Sequence, residues 1–328
     1  MNSNTTKYTV LFVDDEPRVT SALKAIFRRE YNVLIANSGM EALDVLEQQK
    51  VHVIVSDQRM PQILGNELLA IVSKRHPQTM RILLTGFMDK QAIVDLINEG
   101  EVYRFINKPW DNQEMRDVVA NAALASNIPV DSIAHTSEAS TQESTSETDP
   151  IESKSMDPNS IDAEIASLDK ALLMMEKQQE VRHQIRKFCS DESIMIYGTQ
   201  NVSQAVAAAT TRESIGVAVI ELSDDSTTAI QTINLLKRAR PELITIALTD
   251  EYDAQTAVDL INQGQIFKYL AKPLDTALFQ NVIQNAFTRH LFLKKNKGAN
   301  QRYTVEKPSE KIISGLQNLF GRFLISSE

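Results

Sequence analysis

The segment VDLINEGEVYRFINKPW, residues 94–110, returns 164 positions later as VDLINQGQIFKYLAKPL, residues 258–274. The pentapeptide ILLTG at 82–86 returns as IALTD at 246–250 with the same offset. Self-similarity over such a length indicates two copies of one structural unit. A chain of 328 residues has room for two ordinary domains. We therefore expect two copies of a single fold in this chain.

The first copy alternates apolar runs with helical patterns through residues 7–125. Strands are predicted in YTVLFVD, NVLIA, VHVIVSD, MRILLTG and VYRFINK. Helical periodicity occupies the intervals, at residues 17–29, 38–49, 64–75, 89–99 and 111–125. Five strands that alternate with helices predict an α/β domain with a parallel sheet covered on both faces. We expect a flavodoxin-like doubly wound (βα)5 domain with strand order 2-1-3-4-5, and the same fold in residues 161–296.

The first strand of the second copy has two interpretations. Residues 171–175 form a strand after a short helix in one of them. The other is a helical seam through Ile161, Ile165, Leu168, Leu172 and Met175. We favour the strand, because strand 1 is interior in this sheet and its loss would split the sheet. At this strand the repeat offset is 162.

Three further segments lie outside the two copies. Residues 126–160 are dominated by Ser, Thr and acidic residues, without aromatic residues or Gly, which predicts a disordered acidic linker. Residues 297–308 are expected to form a second linker. Residues 309–326 form a predicted amphipathic helix with one apolar stripe, made of Ile312, Ile313, Leu316, Leu319, Phe320, Phe323 and Leu324. This helix could dock on the second copy, bind a partner or another chain, or lie on a membrane surface, and its few basic residues argue against the membrane.

Composition excludes several classes of protein. The formal net charge is -9 and the pI about 5.2, so the chain has no basic surplus for nucleic acid or anionic lipid. The sequence has no apolar run of about 20 residues and no signal-peptide pattern at its start. The single cysteine, Cys189, excludes an internal disulfide and a thiolate metal cluster. We expect a cytoplasmic protein that binds neither nucleic acid nor membranes.

Charged and polar side chains stand at the ends of four predicted strands of the first copy. They are Asp14 and Asp15 after strand 1, Asp57 after strand 3, Thr85 after strand 4 and Lys108 after strand 5. Ligands of such sheets bind at the carboxyl ends of the strands. Crowded carboxylates repel one another unless a cation lies between them, and hard oxygen ligands suit Mg²⁺. The pattern predicts a site where Asp57 receives a phosphoryl group held by Mg²⁺, a hydroxyl and an ammonium.

The motifs DDE after strand 1, SDQRMP at strand 3, LLTG at strand 4 and NKPW after strand 5 resemble those of receiver domains in bacterial two-component response regulators. The resemblance covers essentially all of residues 7–125. It implies that Asp57 accepts phosphate from a sensor histidine kinase or histidine phosphotransfer protein. It also implies that Asp15 binds Mg²⁺ directly, that Asp14 binds it through water, and that the backbone carbonyl of Arg59 is a further ligand.

The resemblance further implies a conformational switch. Thr85 and Lys108 would sense the phosphoryl group, and Phe105 occupies the position of the switch aromatic that turns inward on phosphorylation. Gly86 is small and would leave an open approach to the phosphorylation site. We expect phosphorylation to change association through the face formed by residues 89–125, and a homodimer is one such association.

The second copy departs from the receiver pattern at its site. Offset 164 places Glu221, Thr249, Tyr269 and Lys272 at the positions of the phosphoacceptor, the hydroxyl, the switch aromatic and the lysine. Glu176 and Lys177 stand where the acid pair should be, and Asp250 replaces the small glycine. We expect a pseudo-receiver that takes no phosphate. Glu221 is either a built-in mimic of phospho-aspartate or a product of decay, and we expect its ion pair with Lys272 to be exposed and energetically weak.

These features predict a response regulator of a phosphorelay that acts through phosphorylation-controlled protein–protein interaction and is not itself an enzyme. The alternative is a regulator whose second half conceals a DNA-binding or catalytic output. About 30 residues remain beyond the two copies, too few for a helix-turn-helix domain with its own core, and no GxxxxGK[ST] motif is present. The sequence specifies neither the kinase nor the downstream partner.

Overall fold

The computed structural model describes residues 7–86, 90–98, 102–127, 170–222 and 226–299. Several predicted segments lie outside these ranges. They are residues 128–160 of the acidic linker, the proposed short helix with Ile161, Ile165 and Leu168, and the amphipathic helix at 309–326.

The first domain, residues 7–127, contains one five-stranded parallel sheet. Its strands are β1 (Thr9–Val13), β2 (Asn32–Ala36), β3 (Val53–Asp57), β4 (Met80–Thr85) and β5 (Arg104–Asn107), and they lie in the order β2-β1-β3-β4-β5. The helices are α1 (Pro17–Phe27), α2 (Gly39–Gln48), α3 (Gly65–Arg75), α4 (Lys90–Asn98) and α5 (Asn112–Ala125). Every residue of β1 and β3 is buried, as expected for strands covered on both faces.

Local sequence explains where several helices begin. Pro17 is the first residue of α1, where its missing amide hydrogen costs nothing. The Ser38 side chain accepts a hydrogen bond from the Glu41 amide at the start of α2. The Asp111 carboxylate accepts from two backbone amides at the start of α5, directly after the site-bearing end of the sheet.

The second domain, residues 170–299, repeats this architecture. Its strands are β6 (Ala171–Met175), β7 (Met195–Gly198), β8 (Ile215–Leu222), β9 (Ile244–Thr249) and β10 (Lys268–Ala271), in the order β10-β9-β8-β6-β7. The helices are α6 (Gln179–Asp191), α7 (Val202–Thr211), α8 (Ser226–Ala239), α9 (Ala254–Asp259), which continues as a π-helical turn over Leu260–Gly264, and α10 (Thr276–Lys295). The predicted fold of two flavodoxin-like sheets is therefore confirmed.

Strand β6 settles the ambiguity at the start of the second domain. It spans Ala171–Met175 and pairs in parallel with both β7 and β8. The strand interpretation is confirmed. The seam interpretation is wrong for Leu172 and Met175, because both residues belong to this strand and Leu172 is fully buried in the sheet.

The carboxyl-terminal end of each domain extends by a few residues into a segment that we expected to be a linker. Ser126 and Asn127 form a turn on the end of α5, and the Ser126 hydroxyl donates to the Ala123 carbonyl. Residues 297–299 form one 3₁₀ turn after α10, with Ala299 buried in the core of the second domain. No helix within the described ranges has the length and apolar character that crossing a membrane requires.

Three apolar clusters hold the molecule together. One lies between the first sheet and helices α1 and α5, and a second occupies the corresponding place in the second domain. The third contains residues of both domains and is continuous between them. Helix α4 of the first domain packs against α9 and β10 of the second, so the two sheets share one body of packed side chains.

Candidate functional site

The carboxyl-terminal edge of the first sheet brings together Asp14, Asp57 and Lys108. The Lys108 ammonium lies 2.6 Å from Asp57 Oδ1 and 3.2 Å from Asp14 Oδ2. These groups come from the ends of β1, β3 and β5, which are distant in sequence and adjacent only because the strands are parallel. One ammonium between two carboxylates partly neutralises their repulsion.

Backbone groups fix the orientation of both carboxylates. Asp14 Oδ1 accepts a hydrogen bond of 2.9 Å from the amide of Glu16, and Asp57 Oδ2 accepts one of 3.1 Å from the amide of Arg59. The amide of Lys108 donates to the Thr85 carbonyl at 2.7 Å, which joins the loop after β5 to the end of β4. The site is therefore pre-organised by its own turns.

Burial and charge act in opposite directions on the titration of this site. Burial is the largest influence on Asp14 and raises its pKa, although the Glu16 amide and the Lys108 charge favour the ionised form. Burial alone would lower the pKa of Lys108. Its hydrogen bonds and charge interactions with Asp57 and Asp14 outweigh burial, so the pKa of Lys108 is raised and the ammonium form is favoured.

The side chains of the first site differ in their exposure to solvent. The side chain of Asp14 is 2% exposed and that of Asp57 is 10% exposed, whereas Lys108 keeps 29% of its side chain in solvent. Asp15 is exposed at the rim. Among the described residues, which exclude 87–89, a Cβ added to Gly86 would lie within 4 Å of the Lys108 side chain only, at 3.8 Å.

The structure places the two other predicted switch residues behind the site. Thr85 ends β4, is buried, and lies opposite Asn107 in the sheet register. Phe105 lies in β5 with 2% exposure, packed in the apolar cluster that extends into the second domain. Phe105 therefore lies on the strand next to the one that ends in Thr85.

The donor set of this site fits Mg²⁺. The converging groups are carboxylates, which are hard oxygen ligands. Among the described residues, no three or more His, Cys, Asp or Glu side chains are grouped closely enough to form a metal site by themselves. A cation here would therefore depend on one or two carboxylates, backbone carbonyls, water and the incoming phosphoryl oxygens, which is the coordination that Mg²⁺ accepts.

Gly65 is a site-supporting residue that the sequence reasoning missed. It is the first residue of α3, and a Cβ built on it would lie 2.1 Å from the backbone carbonyl oxygen of Asp57. Real Cβ atoms do not approach so closely, so only glycine allows α3 to start against the end of β3. Offset 164 leads to Ala229 in the second domain, and this glycine-to-alanine difference between the copies was the available signal.

The second domain carries an equivalent cluster around Lys272. Its ammonium lies 2.8 Å from Glu221 Oε1, 3.7 Å from Glu176 Oε1 and 3.3 Å from Asp250 Oδ1. The Gln178 amide donates to Glu176 at 2.8 Å, as the Glu16 amide does to the carboxylate after β1 in the first domain. The backbone frame of the site is conserved between the two copies within this chain, whereas the side chains differ.

The longer side chain of Glu221 crosses the second site. Its Oε2 accepts a hydrogen bond of 2.9 Å from the amide of Lys177, the residue at the position of Asp15. Asp57 instead turns back to the amide two residues after it. Glu221 thus connects the end of β8 to the loop after β6.

The expectation that the Glu221–Lys272 pair is exposed is wrong. The side chains of Lys272, Glu176 and Glu221 are 3%, 0% and 7% exposed, and only Asp250, at 62%, reaches solvent. Burial raises the pKa of Glu176, and the neighbouring charge of Glu221 raises it further against the effect of the Gln178 amide. Burial also acts on Glu221, but hydrogen bonds from Lys272 and from the Lys177 amide lower its pKa overall.

Thr249 and Tyr269 contact neighbouring residues of the second domain. The Thr249 hydroxyl donates to the Glu251 carbonyl at 2.6 Å. Tyr269 is 1% exposed, with its ring edge-to-face against Tyr252 at 5.0 Å. Glu221 bonds the lysine of its site, the Thr249 hydroxyl bonds a neighbouring carbonyl, and mimicry and decay of Glu221 both stay hypotheses.

Comparison with known proteins agrees with the geometry of the first domain. The family model of the response regulator receiver domain matches residues 10–120. The first half of this chain contains a response regulator receiver domain. Family and relatives together place this receiver among those of two-component regulators.

Two curated relatives illustrate the similarity. The hydrogenase transcriptional regulatory protein HoxA of Cupriavidus necator is 40% identical over 123 residues, which cover 38% of this chain and 26% of the relative. The transcriptional regulatory protein GlrR of Escherichia coli is 33% identical over 114 residues, or 34% of this chain and 26% of the relative. The chain thus spans about a quarter of the length of these relatives, and the similarity concerns the receiver.

A solved signal receiver domain of an HD domain-containing protein from Pseudomonas fluorescens is 33% identical. The match covers 39% of this chain and 94% of that one, with a TM-score of 0.36. The assignment of the receiver is therefore based on the family model and the curated relatives.

Proposed function

We propose that the receiver accepts a phosphoryl group on Asp57 from the phosphohistidine of a sensor histidine kinase or histidine phosphotransfer protein. The chain then acts as a phosphorelay response regulator that signals through protein–protein contacts. The single observation that supports this most strongly is the position of the Asp57 carboxylate at the end of β3, 2.6 Å from the Lys108 ammonium, which also contacts Asp14.

The reaction is a transfer of one phosphoryl group. A carboxylate oxygen of Asp57 forms the new P–O bond while the P–N bond of the donor phosphohistidine breaks, and the imidazole leaves with the electron pair of that bond. The product is an acyl phosphate. The Lys108 ammonium neutralises the carboxylate before the transfer and the phosphoryl oxygens after it. The Thr85 hydroxyl, at the end of the neighbouring strand, donates a hydrogen bond to the phosphoryl group.

Mg²⁺ belongs to this proposal as the cation that neutralises the phosphoryl oxygens during transfer. The carboxylates of Asp14, Asp15 and Asp57, with the backbone carbonyl of Arg59, would hold it. Asp15 stands exposed at the rim, where it can turn toward an incoming ion.

Phosphate labelling of the full chain tests the proposal. With acetyl phosphate and Mg²⁺, one shifted band is expected on a phosphate-affinity gel, and Asp57→Asn or EDTA should remove it. Asp44→Asn, which changes an exposed carboxylate on α2, and Glu221→Gln, in the second site, are matched controls that should keep the band. A shifted band that persists in Asp57→Asn would contradict the assignment.

A further inference from the structure

Two asparagines connect the domains through a reciprocal pair of contacts. The side-chain amide of Asn262 donates to the Phe105 carbonyl at 2.9 Å, and its oxygen accepts from the Phe105 amide at 3.0 Å. Asn98 does the same to Tyr269, at 2.9 Å to the carbonyl and 2.8 Å from the amide. Each asparagine therefore satisfies both backbone groups of one residue in the opposite domain.

These contacts cover the free edges of both sheets. Strands β5 and β10 are the last strands of their sheets, so one side of each has no neighbouring strand. Exposed edges of this kind invite pairing with other chains. The asparagine amide replaces one peptide unit of a neighbouring strand and closes the edge without adding a strand.

The four residues are related by the sequence repeat. Asn98 and Asn262 are 164 positions apart, and so are Phe105 and Tyr269. Asn98 contacts Tyr269, and their repeat partners Asn262 and Phe105 contact each other. Such reciprocal contacts are the rule in a two-fold, isologous interface. The chain thus contains internally the contact pattern that two identical subunits would form.

Apolar packing continues the same interface. Ile93, Ile97 and Phe105 of the receiver belong to one buried cluster with Val258 and Ile261 of the second domain, each at most 5% exposed. A further contact adds to it, since the Gln265 side chain donates to the Tyr103 carbonyl at 2.9 Å. Burial of this kind stabilises an interface by the hydrophobic effect, and the asparagines fix its register.

We propose that the second domain is the built-in partner of the receiver. It occupies the α4–β5 face in the position of a second receiver, with Asn98 and Asn262 as reciprocal specificity residues. A second copy of the chain is then excluded from this face while the domains are docked. The face on which we expected phosphorylation to control association is therefore contacted first by the same chain.

Amide hydrogen exchange of the full-length protein tests this inference at single residues. Asn262→Ala should accelerate exchange of the Phe105 amide roughly tenfold or more, because that amide loses its acceptor. Asn98→Ala should do the same to the Tyr269 amide. The diagnostic feature is that each substitution acts on the other domain.

Asn121→Ala and Asn285→Ala are the matched controls. Both asparagines are exposed, and they too are 164 positions apart, on the helices after β5 and β10. The controls should leave both reporter amides protected. Free exchange of Phe105 and Tyr269 in the unmodified protein, or unchanged protection in the asparagine variants, would overturn the inference.

Light-scattering mass measurement distinguishes pairing within one chain from pairing between two. A mass near 36.8 kDa with both reporter amides protected supports the internal pair. A doubled mass that the Asn98→Ala, Asn262→Ala double variant returns to the monomer value would overturn it in favour of exchange between chains. Neither measurement involves phosphate, so a failure here is distinguishable from a failure of the Asp57 assignment.

Discussion

The two sites of this chain share backbone hydrogen bonds, but their lysines differ in exposure to solvent. Lys108 lies between two buried aspartates and keeps 29% of its side chain in solvent. Lys272 is buried, and the longer Glu221 side chain accepts a hydrogen bond from the loop after β6. The additional methylene of Glu221 thus lets its carboxylate contact both Lys272 and the Lys177 amide, whereas the Asp57 carboxylate contacts Lys108 and the Arg59 amide. Sites that retain the same Thr and Lys can therefore differ in the contacts of the acid between them.

The largest expected effect concerns the two lysines. Lys272→Met should destabilise the protein by about 3–5 kcal/mol, because it leaves buried carboxylates without their cation. Lys108→Met should cost less than Lys272→Met, because Lys108 keeps 29% of its own side chain in solvent and water can replace part of its charge interactions. Denaturant unfolding of the two variants measures both values. Equal losses would show that the two sites do not differ in burial as described.

The next effect concerns the start of α3. Gly65→Ala should destabilise the receiver by about 1–3 kcal/mol, because the new Cβ overlaps the Asp57 carbonyl and forces the strand end or the helix to move. Slower labelling of Asp57 should accompany the loss. The reverse change in the second domain, Ala229→Gly, should cost about 1–2 kcal/mol, because it lowers helix propensity and removes a buried methyl group. Unchanged stability and unchanged labelling of Gly65→Ala would show that the close approach is not required.

The smallest effect is a pH dependence in the second site. Because the pKa of Glu176 is raised in the folded protein, its contribution to stability is complete below the ordinary carboxyl pKa and is lost as pH rises through the raised value. Glu176→Gln should therefore match the unmodified protein at low pH and exceed its stability at neutral pH.

Unfolding free energies measured across that pH range would show the divergence. Glu180→Gln, at an exposed position in the first turn of α6, is the control and should show no such divergence. A Glu176→Gln variant that is less stable at neutral pH would mean that Lys272 needs both buried glutamates.

Much of this architecture could be predicted from sequence because parallel sheets place strand ends together. The alternation of apolar runs and helices predicted both sheets, and the residues after β1, β3 and β5 were predicted to meet and do meet. The interior strand at 171–175 followed from topology and not from its residues. These inferences use periodicity and chain order, which a single sequence contains.

The remaining features depend on distances that periodicity does not encode. Burial of the Glu221–Lys272 pair depends on how the neighbouring loops pack over it. The prediction of an exposed ion pair was wrong for that reason. Gly65 matters because of one carbonyl oxygen brought close by the fold. Asn98 and Asn262 were present in the quoted repeat, but a polar residue at a helix end is ordinarily solvated, and only the docked domains give it a partner.

If Phe105 is the switch residue of the proposed function, it belongs to two equilibria, phosphorylation of Asp57 and docking of the second domain. Its side chain lies in the packed cluster one strand away from Thr85, and its backbone is held by Asn262 of the other domain. Binding equilibria that share a residue in this way are linked, and thermodynamic linkage is reciprocal. If negative charge added to Asp57 lowers the docking equilibrium constant of the second domain by some factor, docking of that domain must disfavour the added charge by the same factor. The second domain would then set how readily the receiver is phosphorylated, without contributing any group to the chemistry.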